Sequence, residues 1–202
     1  TGSGKTKLAG NAFLPKAGIK AADIDGKEYE GKETVLGAIL KSDTTFPSVN
    51  EYLVSLIQDN LKMIQSKHFQ EEHTNRVPDT VYNSFKNETQ YFFINEDNPI
   101  LFQEIKGKVL LFSDSVIVIN KGLKLEDVII MAPEINIADN FEGTVQLIAN
   151  KAITIGKHCV LKYPSAVILV KDSLNNYQGR IEIGENSSVA GLLFAHTIQA
   201  DR

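Results

Sequence analysis

The sequence predicts a mainly-β fold. Its body is a single-stranded parallel β-helix, three-sided with about 18 residues per coil, joined to a small β-rich N-terminal unit and one amphipathic α-helix. Three observations carry this. From Tyr91 onward short apolar runs follow one another: QYFFI, KVLLF, SVIVI, DVIIMA, EINIA, TVQLIA, AITIG, SAVILV, RIEIG and VAGLLF. A step of six from Leu111 then meets Ile117, Leu123, Ile129, Ile135, Phe141, Leu147, Ile153 and Cys159, all apolar. A second track two residues on meets Ile119, Leu125, Met131, Ile137, Gly143, Ala149, Ile155, Leu161 and Val167, each apolar or glycine. Residues i and i+2 of a strand share a face, so each six-residue unit turns two side chains inward and then a corner. Three units close one coil. The polar and glycine-bearing stretches NKG, ADNFEG, IGK and IGEN suit the corners.

The elements follow in order. Residues 1–46 alternate apolar patches such as NAFLP and TVLGAIL with glycines at 10, 18, 26, 31 and 37, the spacing of short strands and turns. The opening TGSGKT looks like the end of a phosphate-binding loop, but no strand precedes it and Gly10, Pro15 and Gly18 preclude the helix whose N-terminus would hold the anion. It reads as a flexible lead-in to a strand. Residues 47–90 hold the helix and a long loop. Over 48–66, Leu53, Leu56, Ile57, Leu61 and Ile64 recur at three and four on one helical face, and Ser48 with Glu51 forms a capping box. The polar KHFQEEHTNRVPDTVYNSFKNET reads as loop. Residues 91–202 are the β-helix. KDSLNNYQG at 171–179 breaks the register, which resumes with Ile183, Val189 and Ala195.

Composition sets limits. The net charge of −4 is dispersed, and only Arg76, Arg180 and Arg202 among 21 basic residues are arginine, so no basic stripe exists for nucleic acid. One cysteine permits no internal disulfide. No run reaches the roughly 20 apolar residues of a membrane span, so any membrane attachment is expected through an N-terminal anchor preceding Thr1.

Candidate chemistry is sparse. His158 beside Cys159 pairs a base with a thiol, yet neighbours on a strand face opposite ways, and Cys159 lies on the inward track. A buried cysteine and an exposed histidine are expected. His68 and His73 in HFQEEH sit at i, i+5, whereas a helical zinc pair needs i, i+4. No metal and no cofactor is expected. A polysaccharide hydrolase would need two carboxylates about 5 to 9.5 Å apart. No acidic pair among Glu104, Asp114, Glu126, Asp127, Glu134, Asp139 and Glu142 is separated by 18 or 36 positions. That spacing instead aligns Lys121, Asp139 and Lys157, and sets Lys124 above Glu142, as on a solvated structural face. Tyr91, Phe92, Phe93 and Phe102 offer either a sugar-binding platform or a plug for the open end of the stack, the plug being favoured. Tyr91, Phe93 and His158 are thus the candidate binding residues.

The rungs resemble the bactofilin-like group of bacterial β-helix proteins, with envelope-associated or polymer-forming roles. LEDVIIMAPEINIADNFEGTVQLIA and HCVLKYPSAVILV, with AFLPKAGIKAADIDGKEYEG upstream, also look like a bacterial cell-envelope family of unassigned function in which a hydrophobic anchor precedes this part. IGKHCV at 155–160 matches hexapeptide acyltransferase texture, but large inward residues such as Phe141 favour a wider, right-handed coil; the sequence leaves the hand open. The resemblance implies a non-enzymatic structural, adhesive or assembly module of the bacterial envelope, periplasmic or surface-exposed. A carbohydrate-active or acyl-transferring enzyme is the alternative. Expected partners are a second copy, through the C-terminal coil where Leu192, Leu193 and Phe194 end the stack, and an envelope polysaccharide.

Overall fold

A computed structural model of the chain describes residues 4–5, 8–24, 26–42, 49–172 and 178–198. Chain contacts divide it into two units, Thr1–Val49 and Asn50–Arg202. The helical stretch thereby joins the strands that follow it. Of the opening TGSGKT, only Gly4 and Lys5 lie within the described residues.

The first unit is β-rich, as its glycine spacing predicts. Strands β1 (Leu8–Ala9) and β2 (Ala12–Leu14) pair in parallel with β3 (Val35–Leu36) and β4 (Ile39–Lys41). Gly18 turns the chain between them with φ 63°, a left-handed conformation that glycine adopts without strain.

In the second unit, α1 (Glu51–Met63) begins at Asn50, whose side chain accepts hydrogen bonds from the Tyr52 and Leu53 N–H groups. Asn50 is the N-cap in place of the expected Ser48, which lies outside the described residues. The buried face also differs from expectation. Val54, Leu61 and Ile64 are buried, while Leu53 and Leu56 are exposed. A short α2 (Lys67–Glu72) follows inside the stretch expected to be loop.

Twelve strands follow among the described residues: β5 (Thr80–Asn83), β6 (Gln90–Phe93), β7 (Glu104–Gly107), β8 (Val109–Phe112), β9 (Val116–Ile119), β10 (Lys124–Met131), β11 (Glu134–Ile137), β12 (Glu142–Ala149), β13 (Ala152–Ile155), β14 (Val160–Asp172), β15 (Arg180–Ile183) and β16 (Ser188–Ile198). Every pairing among them is parallel. One sheet runs β16-β14-β12-β10-β7-β5 with β6 and β8 beside it, and the other runs β15-β13-β11-β9. The fold is therefore mainly β with parallel sheets, and the strands begin at Thr80, earlier than expected. In the four-stranded sheet Ile135 stands between Ile117 and Ile153, and Ile181 stands beyond Ile153. After 171–179, of which residues 173–177 lie outside the described set, the register resumes as expected: Ile183 on Ile155, Val189 on Leu161 and Ala195 on Leu169.

Two apolar clusters result from strand alternation. The larger gathers Leu111, Ile117, Leu123, Ile135, Phe141, Leu147, Ile153 and Cys159 from the first predicted track with Ile119, Leu125, Ile137 and Ile155 from the second. The smaller lies on the opposite face of β6, β8 and β10, where Phe93, Leu110, Phe112 and Met131 pack against Leu61 of α1 and its C-cap residue Ile64. Ile129 and Met131 belong there, not to the inward tracks. The cause is a bulge between Glu126 and Val128, with Asp127 at φ 59°, which moves Val128 and Ile130 inward instead.

Candidate functional site

The most organised polar surface lies on the face of β7, β10, β12 and β14 opposite their buried residues. It is a shallow groove of about 390 Å³ lined by Glu104, Lys106, Lys124, Glu126, Glu142 and Lys162, with Gly143 and Thr144 between. Alternation builds it: Ile105, Leu125 and Leu161 point into the core, so their neighbours point out. Register then sets opposite charges side by side, Glu104 against Lys124 and Lys106 against Glu126. Lys106 Nζ lies 2.6 Å from Glu126 Oε1, Lys124 Nζ 3.4 Å from Glu104 Oε2, and Lys162 Nζ 2.5 Å from Glu142 Oε1. At the rim, the Tyr82 hydroxyl of β5 donates to Glu104 Oε1 at 2.8 Å.

The electrostatics follow from these bonds. The Tyr82 hydroxyl, and after it Lys124, holds the Glu104 carboxyl below its ordinary 4.5. The same hydrogen bond raises the Tyr82 phenol, and Glu126 raises the Lys106 ammonium. A depressed carboxylate pKa contributes stability that is present above the unfolded value and lost as pH falls through the folded one. Stability is thus expected to decline below pH 4.5 in part through Glu104. Tyr82→Phe removes the leading cause of the shift, so acid melting curves should be shallower in that variant; identical acid limbs would contradict the assignment.

The expectation that no acidic pair lies one or two rungs apart assumed a uniform step of 18. Glu104 opposite Lys124 makes the step from β7 to β10 20, so Glu104 stands diagonal to Glu126. These carboxylates are nonetheless poorly suited to acid catalysis. A general acid at neutral pH needs a raised pKa, whereas Glu104 is held down. Glu126 and Glu142 each face an ammonium.

The sequence candidates fall elsewhere. Phe93 is buried and Tyr91 half-buried beneath the helices: Phe69 meets Tyr91 edge-on with centroids 5.5 Å apart, and Phe93 meets Phe112 at 5.4 Å. Strand alternation turns these two outward onto α1 and α2, while Phe92 between them packs against the main core. Phe102 alone of that group is exposed. His158 is exposed in a turn at φ 57° and Cys159 is fully buried, as expected. The Cys159 thiol donates to the Ala138 carbonyl. His68 pairs with Glu72 at 3.2 Å while the His73 ring packs on Phe69, so the two histidines do not converge. Among the described residues no group of three metal-binding side chains is found. Nor is any helix long and apolar enough to cross a membrane. Of the charge column expected at 121, 139 and 157, Asp139 bonds to Lys157 through the latter's backbone N–H, and the Lys157 ammonium goes to Glu185. Lys124 pairs with Glu104 instead of Glu142.

The two ends of the sheets differ. Near the edge strand β5, Val77, Ile94 and Ile100 are buried in the main core. The Asn98 side chain fastens them, accepting from Val77 N–H and donating to the Asn75 and Phe93 carbonyls. At the other end, Leu193 is 56% exposed although Val167, its neighbour in register, is fully buried. Ile183 is 42% exposed above a buried Ile155.

Comparison with protein-family models, curated proteins and solved structures finds no match.

Proposed function

We propose that this chain is a non-enzymatic assembly module of a bacterial cell-envelope protein, built as a three-sided, right-handed parallel β-helix. In this reading it is periplasmic or surface-exposed, and a preceding anchor attaches it to the membrane. The bulges after Glu126, Gly143 and Leu161 are the corners at which one strand passes from one face to the next. The bactofilin-like texture of the rungs agrees with a polymer-forming role.

One observation carries the reading: among the described residues the core is closed beside β5 by Val77, Ile94 and Ile100, and uncovered at β16, where Leu193 continues an otherwise buried column. An edge strand with free N–H and C=O groups above exposed apolar side chains is a template for a further strand. β16 supplies 11 residues of such an edge, and a second copy meeting it tail to tail would bury Leu193 and Ile183.

Analytical ultracentrifugation of the wild type beside Leu193→Lys tests this. The wild type should dimerise with a dissociation constant at least tenfold below that of the variant. Two forms that both stay monomeric at millimolar concentration would overturn the proposal. Turnover of polysaccharides or acyl donors would overturn its non-enzymatic part.

A further inference from the structure

The groove across β7, β10, β12 and β14 belongs to a different face from the β16 edge, and its chemistry suits a different partner. We propose that this groove, with Tyr82 at its rim, binds an extended neutral glycan. The inference is independent of self-association.

Charge selects the class of ligand. Three carboxylates (Glu104, Glu126, Glu142) face three ammonium groups (Lys106, Lys124, Lys162), so the lining is neutral in sum. A polyanion would have to draw a lysine from its glutamate and leave that carboxylate uncompensated; a polycation would do the converse. A sugar hydroxyl both donates and accepts. It can bridge a carboxylate and an ammonium without separating the pair, and vicinal hydroxyls can do so twice. The lining offers such mixed pairs on successive strands, Glu104 with Lys124, Lys106 with Glu126 and Glu142 with Lys162.

Geometry adds length and an anchor. Strands from β5 to β14 in parallel register are spaced by about 4.8 Å, so the five strands present a track of roughly 19 Å, the length of a short oligosaccharide running across the strands. Tyr82 is 64% exposed, yet its hydroxyl is fixed on Glu104, so its ring is held in place at little further entropic cost on binding. An aromatic ring fixed beside polar groups gives the apolar face of a pyranose somewhere to stack. Phe93 is buried and Tyr91 half-buried beneath the helices, so neither presents a ring face in this way.

The test uses cellohexaose and chitohexaose as neutral probes, with polygalacturonate and polylysine as charged controls, and follows backbone amide shifts of the full chain. Either neutral hexamer at millimolar concentration should shift the amides of Tyr82, Glu104, Lys124 and Gly143, while the charged polymers bind at least tenfold more weakly. Tyr82→Ala should weaken neutral-glycan binding at least tenfold, and Tyr82→Phe, which keeps the ring, by less than threefold. Both variants should fold, since the side chain is exposed, and unchanged amide spectra outside the groove would verify it. The proposal is overturned if neither hexamer shifts these amides, if a charged polymer binds more tightly, or if Tyr82→Ala binds like the wild type.

Discussion

Replacing Ile135 by aspartate is expected to unfold the Asn50–Arg202 unit near physiological temperature. Ile135 is fully buried in a column with Ile117 and Ile153, themselves fully buried. A carboxylate there would meet only apolar neighbours, and it must either remain charged without a partner or take up a proton against its ordinary pKa. The loss is expected to be about 4 kcal/mol or more, a large share of the roughly 5–15 kcal/mol that stabilises a domain. Ile153→Asp should behave alike. Ile135→Val, which removes one methyl, should cost about 1 kcal/mol. Asn136 points outward and Thr154 is only half-buried, so Asn136→Ser and Thr154→Ser should stay within about 0.5 kcal/mol. Urea denaturation midpoints measure all five. Equal tolerance at 135, 136, 153 and 154 would show that the column has been placed on the wrong face.

That column was legible because it rests on the simplest signal a strand sends. EINI and AITI alternate, their apolar residues recur at a fixed step, and parallel register does the rest. The step misleads where the backbone departs from it. At Asp127 a single bulge residue moves Ile129 to the outer face, and no residue type in LEDVII announces that shift. β5 is inconspicuous in the sequence for a related reason. TVYN is four residues long and turns Asn83 inward, where a polar side chain argues against a core strand. Its amide is satisfied locally by the carbonyls of Glu88 and Lys108, a compensation that only the fold supplies.

The helix was legible in kind but not in orientation. Leu53 and Leu56 fit the period as well as Val54 does, and which side is buried depends on the sheet it meets. The groove was the least legible feature. Its pairs need the step of 20 from β7 to β10 and the step of 24 that sets Thr80 beside Glu104, and neither can be inferred from a repeat of six. Tyr82 lies in a stretch that reads as loop, whereas the crowding of Tyr91 and Phe93, conspicuous in the sequence, reflects helix packing.

Alanine at position 107 is expected to detach β5 and, with it, Tyr82. Gly107 ends β7 with φ 94°, where side-chain-bearing residues are strained. Space is a further obstacle, because a Cβ there would lie 2.0 Å from the Asn83 carbonyl oxygen. That oxygen also accepts from the Lys108 N–H at 2.9 Å, so β5 cannot retreat without giving up the bond that holds its end. Backbone strain and the clash together should cost about 3 kcal/mol. Asn140→Ala is the control: φ is 64° there, and alanine adds backbone strain alone, about 1 kcal/mol. Hydrogen exchange should show protection lost at Val81 and Asn83, whose N–H groups face β7, in Gly107→Ala and kept at Ile135 and Ile153, since β5 is an edge strand that among the described residues pairs with β7 alone. Neutral-glycan binding should fall with it even though no groove side chain has been altered. If Gly107→Ala costs no more than Asn140→Ala and leaves β5 protected, the close approach of the two strands is wrong, and with it the placement of Tyr82 at the groove.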